Sequence, residues 1–92
     1  MALKRYVIER DIPNIGGASP SDLSGASATS NSALAQLAPR VQWEHSYVAD
    51  NKTFCIYLAE DEDAIREHAA ISGFPATIIT EVRGIIDPTT AT

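Results

Sequence analysis

The side chains with the clearest potential for chemistry are two imidazoles and one thiol. His45 and His68 are the only histidines in the sequence, and Cys55 is the only cysteine. Neutral imidazole binds nickel, zinc and copper, and a thiolate is a soft ligand for metals of this class. Glu44, which the hairpin register predicted below places beside Cys55 on the same face, could complete such a site with its carboxylate or simply point to solvent. The histidines and the cysteine also have a structural interpretation, because both residue types occur in protein cores without any ligand role.

Further carboxylates stand in the first and last predicted strands. Glu9 and Glu81 could form a pair for general acid–base chemistry if their surroundings raised one pKa. The alternative is a set of cross-strand ion pairs with Arg10 and Arg83, each contributing at most ~1 kcal/mol. The acidic run 60–63 also has two interpretations, a site for a hard cation or an N-terminal helix cap, and its position at the start of a predicted helix favours the cap.

Length, charge and cysteine content argue against several classes of function. We expect residues 1–92 to form one domain, which is large enough for one modest core. The net charge of −5 and the pI of 4.7 argue against nucleic acid or an anionic membrane as the main partner. No apolar run approaches the ~18 residues of a membrane span, and the start MALKRYVIER lacks an apolar signal-peptide segment. A single cysteine cannot form an internal disulfide, so we expect a reducing, cytoplasmic location. The sequence contains no Ser-His-Asp spacing, glycine-rich phosphate loop or CxxC motif.

The stretch 41–60 is predicted to be a hairpin, because Asp50 and Asn51 favour a turn between two alternating segments. A two-residue turn fixes the register. The predicted pairs are Tyr47 with Phe54, His45 with Ile56, and Trp43 with Leu58. We expect this face to lie on the core. The opposite face is the predicted location of a site, and it comprises Glu44, Ser46, Val48, Thr53, Cys55 and Tyr57.

Two helices and two further strands complete the prediction. Alternation over Leu3 to Ile12 predicts a first strand, with Tyr6 and Ile8 on one face. The loop after it contains Gly16 and Gly17, which are free to adopt positive φ. A helix is predicted over 20–37 with Ser19 as its N-cap, and the alternative for this stretch is a low-complexity linker. After the hairpin, the prediction continues with a second helix that ends at Gly73 and a last strand over 78–86.

The order strand, helix, strand, strand, helix, strand predicts an α+β fold. Two split βαβ units in a short chain are typical of a ferredoxin-like βαββαβ sandwich, an antiparallel sheet with two helices on one face. The uncovered face would still carry apolar side chains such as Val7, Val48 and Tyr57. We therefore expect a homodimer packed sheet against sheet.

The sequence resembles a small bacterial family of nickel-binding proteins with a ferredoxin-like fold and no defined role. The resemblance is carried by the segments YVIERDI, WEHSYVADNKTFCIYLAEDEDAIREHAAISGFPATIITEV and EVRGIIDP. The resemblance covers nearly the whole chain except the serine-rich first helix. The family pattern matches at Cys55 and His68. Glu9, Arg10 and Asp11 stand where that family is rich in histidine. The resemblance implies nickel as the bound metal.

Three hypotheses for function follow. The first is a transition-metal binder with nickel as its metal, whose ligands would come from His45, His68, Cys55, Glu44 and Glu9. The second is a small dimeric enzyme of the α/β-barrel kind, or a ligand-binding module, with a small molecule between sheet and helices against Tyr57, His45 and Trp43. The third is an interaction module without a site. Two imidazoles that meet would favour the first, and a pocket with converging polar groups would favour the second.

Overall fold

Four strands and two helices follow one another in the order βαββαβ, and the computed structural model describes residues 2–91. The elements are β1 (Lys4–Asp11), α1 (Pro20–Leu37), β2 (Val41–Val48), β3 (Lys52–Ala59), α2 (Glu62–Ser72) and β4 (Ile78–Glu81). Single 3-10 turns lie at Ile15–Gly17 and Pro88–Thr90. Neither α1 nor α2 combines the length and the apolar character that crossing a bilayer requires.

The strands form one antiparallel sheet in the order β2-β3-β1-β4. Both helices cover the same face, where Leu37 of α1 and Ala64 and Ile65 of α2 join the buried residues of β1 and β3. The predicted ferredoxin-like α+β fold is therefore confirmed. Its split βαβ units place β1 and β3 side by side at the centre of the sheet, so these two strands supply most of the core.

Local sequence signals set the ends of both helices. Ser19 and Asp22 form a reciprocal capping box at the start of α1, with Pro20 in the first turn. Asp61 caps α2 by accepting a hydrogen bond from the Ala64 N–H, and Gly73 ends it with a φ of 80°. The two predicted helices are confirmed, and the alternative of a linker over residues 20–37 is wrong. The acidic run contributes a helix cap.

The helix-covered face of the sheet carries Tyr6, Ile8 and Arg10 of β1, and Thr53, Cys55, Tyr57 and Ala59 of β3, all of them buried. The open face carries Arg5, Val7 and Glu9 of β1, and Phe54, Ile56 and Leu58 of β3. The expectation that the face with Phe54 and Ile56 lies on the core is wrong, because those side chains are only half-buried on the open face. Alternation separates the two sets correctly, but both sets contain apolar residues, so it does not say which one the helices cover.

A β-bulge in β2 changes the predicted register at one end of the hairpin. The pairs Tyr47–Phe54 and His45–Ile56 are confirmed, but Trp43 pairs with Tyr57 instead of Leu58. The irregularity lies between Trp43 and His45, so Glu44 is the extra residue. Trp43 is thereby moved to the helix-covered face.

The last strand is shorter than predicted. It ends at Glu81, which pairs with Tyr6, and only the hydrogen bond from Val82 N–H to the Arg5 carbonyl (2.8 Å) extends the pairing. β4 runs antiparallel to β1, and Lys4, the first residue of β1, stands opposite Arg83, so a β4 that continued beyond Arg83 would have no strand left to pair with. Ile85 is exposed beyond this point.

The glycine loop is ordered against the hairpin. Gly16 donates its N–H to the Asp50 carbonyl (2.9 Å), and a Cβ on Gly16 would lie 2.8 Å from the Ala49 carbonyl oxygen. Gly16 and Gly17 do not use their freedom to adopt positive φ, and the positive φ in this loop belongs to Asn14, at 62°. Gly16 is needed for close approach, and this contact brings the 3-10 turn up to the sheet.

Candidate functional site

A cavity of about 280 Å³ lies between α1, the first 3-10 turn and the helix-covered face of the sheet. We call it the α1 cavity. Leu23, Ala26 and Ser30 of α1 line one side, and Trp43 and Tyr57 of the sheet line the other. The cavity exists because α1 is rich in serine and alanine, whose small side chains do not fill the space above the sheet.

Most of the α1 cavity wall is apolar. The rings of Trp43 and Tyr57 are stacked with an interplanar angle of 26° and centroids 6.4 Å apart, and Trp43 donates its indole N–H to the Ser46 hydroxyl (3.0 Å). Leu23 and Ile15 lie on the helix and loop side. Such a surface suits the flat or branched apolar part of a small molecule.

Arg10 is the charged residue in this wall, and only 3% of its surface is exposed. Its Nη1 donates to the Pro75 carbonyl (2.9 Å) and, at 3.5 Å, to the Phe74 carbonyl. Its guanidinium carbon lies 5.7 Å from the centre of the Tyr57 ring. Within residues 2–91, Nη2 has no hydrogen-bond partner, and Arg10 takes part in none of the ion pairs. The protein thus holds a buried positive charge that its own carboxylates do not neutralise.

Three buried polar side chains form a chain of contacts beside Arg10. Ser30 Oγ lies 3.4 Å from the Tyr57 hydroxyl and 3.1 Å from His68 Nε2, and the rings of Tyr57 and His68 meet edge to face at 5.2 Å. Burial, with the positive charge of Arg10 as a second cause, lowers the pKa of His68 to about 4. Burial raises the pKa of Tyr57 above its ordinary value. Both groups are therefore neutral at pH 7, and His68 connects α2 to α1 through Ser30.

The sheet separates the five predicted metal ligands into two sets. Cys55 and His68 are buried on the helix-covered side, and the Cys55 sulfur lies 3.4 Å from Thr53 Oγ1 in the wall of the α1 cavity. The other three lie on the open face, where each contacts a different partner. Glu9 pairs with Lys52 Nζ (3.2 Å), Glu44 pairs with Arg5 Nε (2.7 Å), and His45 Nε2 lies 3.2 Å from the Tyr47 hydroxyl.

This distribution does not fit a nickel site within one chain. Among residues 2–91, no three side chains of the types His, Cys, Asp and Glu come together in a way that could hold a metal ion. The two imidazoles do not meet, because His45 is on the open face and His68 is under the helices. The expectation that Glu44 lies beside Cys55 is wrong, since the bulge sends Glu44 to the opposite face.

The proposed acid–base pair of Glu9 and Glu81 is also absent from the structure of residues 2–91. Glu9 faces the open side and Glu81, paired with Tyr6, faces the helix side. Glu81 forms an ion pair with Arg83 (2.9 Å), two residues further along the same segment, so it is not one of the cross-strand pairs that the alternative interpretation predicted. Arg10 does not take part in such pairs, because it lies on the buried face.

Of the residues expected to line a small-molecule pocket, Tyr57 and Trp43 line the α1 cavity and His45 does not. Sequence reasoning missed Arg10 and Ser30 as site residues. The signal for Arg10 was available, because it follows Tyr6 and Ile8 with the same period of two. Ser30 falls among the apolar positions of α1, and a hydroxyl at such a position indicates a buried polar contact.

Comparison with known proteins places the fold in a family. Residues 6–82 match the model of a family described as "Nickel responsive protein SCO4226-like". The chain is similar to the crystal structure of SCO4226 from Streptomyces coelicolor A3(2), with a TM-score of 0.74 and 15% sequence identity over 89% of this chain and 99% of that chain. At this identity the structural likeness shows the shared fold alone. No curated protein matches the sequence.

Proposed function

The chain belongs to the family of nickel responsive SCO4226-like proteins, and we propose that it is a binding protein whose ligand site for a small organic molecule is the α1 cavity. The observation that carries this proposal is the convergence of three polar side chains, Arg10, Ser30 and Tyr57, on a cavity of about 280 Å³ with apolar walls. Small-molecule sites in proteins have this composition, and their volumes begin at about 300 Å³. A volume at the lower end implies a ligand of one or two rings.

The test fills the cavity from α1. Ala26 lines the cavity and Ala28 is exposed on the same helix, so Ala26→Phe and Ala28→Phe form a matched pair. The probes are 2-naphthoate and its uncharged analogue 2-naphthamide, titrated into 15N-labelled protein. Trp43 is the only tryptophan and lies in the cavity wall, so its indole N–H signal reports binding.

We expect at least one of the two probes to shift the Trp43 signal in the wild type and in Ala28→Phe. Ala26→Phe should lose the response, because the new ring occupies the site. The proposal fails if neither probe shifts the Trp43 signal in the wild type, or if Ala26→Phe binds as well as Ala28→Phe does.

Nickel binding is the second candidate function, and it is supported by the description of the family. His45 is exposed and His68 is completely buried, so His45 is the imidazole that a metal ion in solution can reach. Nickel titrated calorimetrically into chelator-treated protein should bind more weakly to His45→Ala than to the wild type. His68→Ala should keep the wild-type affinity. Equal affinity for nickel in the wild type and in both variants would show that neither imidazole is a nickel ligand.

A homodimer packed through the open face of the sheet remains our proposal for the quaternary structure. It is supported by apolar side chains on that side, since Tyr47 is 62% exposed and Ile78 is 47% exposed. Light scattering should give about twice 9.9 kDa at micromolar concentration. Tyr47→Glu should shift the mass towards the monomer, whereas Ala28→Glu, on the exposed side of α1, should not. A monomeric wild type would contradict the proposal.

We propose a cytoplasmic location on the basis of the thiol chemistry. Cys55 is a free, buried cysteine, and no second cysteine is present in the sequence to pair with it. A reducing compartment keeps such a thiol from oxidation during folding, before it is buried. Fractionation of cells that produce the untagged protein tests the location, and recovery outside the cytoplasm would contradict it.

A further inference from the structure

The charge of Arg10 is a feature that the fold of the chain does not explain. A guanidinium stays protonated at every physiological pH, so it cannot avoid the cost of burial by losing its proton as a histidine or lysine can. Burial of a charge is strongly unfavourable unless an opposite charge or a full set of hydrogen bonds compensates it. In residues 2–91, Arg10 has neither a carboxylate partner nor a partner for Nη2.

One part of the Arg10 guanidinium has a structural role. Nη1 donates to the Phe74 and Pro75 carbonyls, and these bonds hold the loop after α2 against β1. The contact of the guanidinium with the Tyr57 ring adds a cation–π interaction. Neither contact neutralises the charge or uses Nη2, and both leave Arg10 in the wall of the α1 cavity.

We infer that the ligand of the α1 cavity is a small organic carboxylate, a conclusion that rests on the proposed function of this cavity. The carboxylate would neutralise Arg10 and accept a hydrogen bond from Nη2, since guanidinium and carboxylate groups form short, charge-assisted hydrogen bonds. The hydroxyls of Ser30, Tyr57 and Thr53 also line the cavity and supply donors for the remaining carboxylate oxygen.

The rest of the cavity specifies the other part of the ligand. Trp43 and Tyr57 present stacked rings, and Leu23 and Ala26 lie across from them on α1. A second charge on the ligand would meet apolar side chains there, and its desolvation would be uncompensated. The ligand class is therefore a monocarboxylate with a flat or compact apolar body.

The experiment compares 2-naphthoate with 2-naphthamide, which have nearly the same shape and differ in charge. Affinities come from the shift of the Trp43 indole N–H signal in the wild type, Arg10→Met, Arg10→Lys and Arg83→Met. Arg83 is exposed outside the cavity and serves as the matched control for loss of a guanidinium. Arg10→Lys keeps the charge and so provides a second readout if Arg10→Met does not fold.

We expect the wild type and Arg83→Met to bind the carboxylate about tenfold to a hundredfold more tightly than the amide, the range for a hydrogen bond to a charged group. Arg10→Met should bind both probes with the affinity of the amide, and Arg10→Lys should keep a preference for the carboxylate. Equal affinity of the wild type for the two probes would overturn the inference and leave the cavity as a binding site. Absence of binding by both probes would refute the proposed function as well.

Discussion

Lowering the pH from 7 to 5 should destabilise the folded chain through His68. An unperturbed imidazole has a pKa of 6.5, and in the folded protein burial and Arg10 lower the pKa of His68 to about 4. Between these two values the unfolded chain binds a proton that the folded chain does not. The contribution of neutral His68 to the unfolding free energy is therefore complete above pH 6.5 and is lost as the pH falls towards 4.

The size of the loss follows from this interval. Each pH unit between the two pKa values is worth about 1.36 kcal/mol, so the fall from pH 6.5 to pH 5 should remove about 2 kcal/mol of unfolding free energy. A loss of this size is a large fraction of the stability of a small domain, which is typically about 5–15 kcal/mol. It is therefore well within reach of equilibrium unfolding measurements.

The assay is urea unfolding at pH 7, 6 and 5, followed by circular dichroism. His68→Gln keeps a polar group near Ser30 but cannot take up the proton, so its loss of stability between pH 7 and 5 should be about 2 kcal/mol smaller than that of the wild type. His45→Gln, which removes the exposed imidazole, is the matched control for the loss of a histidine side chain.

Two results would refute the reasoning. One is an equal loss of stability in the wild type and in His68→Gln. The other is an NMR titration of the His68 ring in the folded wild type that gives its ordinary pKa, because then the folded and unfolded chains would bind the proton equally. The NMR titration needs no variant, so it decides the question even if His68→Gln does not fold.

Three further predictions concern stability. Ser30→Ala removes the partner of both His68 Nε2 and the Tyr57 hydroxyl, and it should lower the unfolding free energy measured in urea by ~1–3 kcal/mol. Ser32→Ala, at an exposed position of the same helix, should change it little, and equal effects of the two variants would show that the buried contacts contribute nothing. Ile8→Ala should lower the unfolding free energy by ~2–5 kcal/mol because it truncates a core side chain, and Ile56→Ala should lower it less because Ile56 lies on the open face. A larger loss for Ile56→Ala would contradict the placement of the core on the helix-covered face. Deletion of Glu44 should leave a folded protein with Trp43 still opposite Tyr57, because it removes only the extra residue of the bulge. Deletion of Ser46 should destabilise the folded chain strongly, because it shifts the register of the strand. A similar loss of stability from both deletions would refute the bulge.

The candidate site shows how far the sequence predicts chemistry. The prediction of Tyr57 and Trp43 as pocket residues agrees with the structure, and that of His45 does not. The pairing of Tyr57 with Trp43 depends on the bulge at Glu44, and no local turn or propensity signal marks that position. A bulge depends on how the whole hairpin fits β1 and the helices above it, and this fit is a property of the assembled sheet.

The sequence by itself determined the order of the elements and the ends of the helices. Ser19, Pro20, Asp61 and Gly73 act through hydrogen bonds and backbone preferences within a few residues of their own position, so their effect can be predicted from the chain alone. The two-residue turn at Asp50 and Asn51 determined the hairpin register for the same reason, up to the bulge.

Only the tertiary structure decided which face of the sheet is covered, and with it the nature of the site. Alternation places Cys55 with Tyr57 and His45 with Ile56, but both faces carry apolar residues and neither pattern identifies the helix side. Packing of α1 and α2 buried Arg10, Cys55 and His68 together and left His45, Glu44 and Glu9 on the open face. Burial is a sum of contacts from distant segments, and it is burial that lowered the pKa of His68 and left Arg10 as an uncompensated charge in the wall of a cavity.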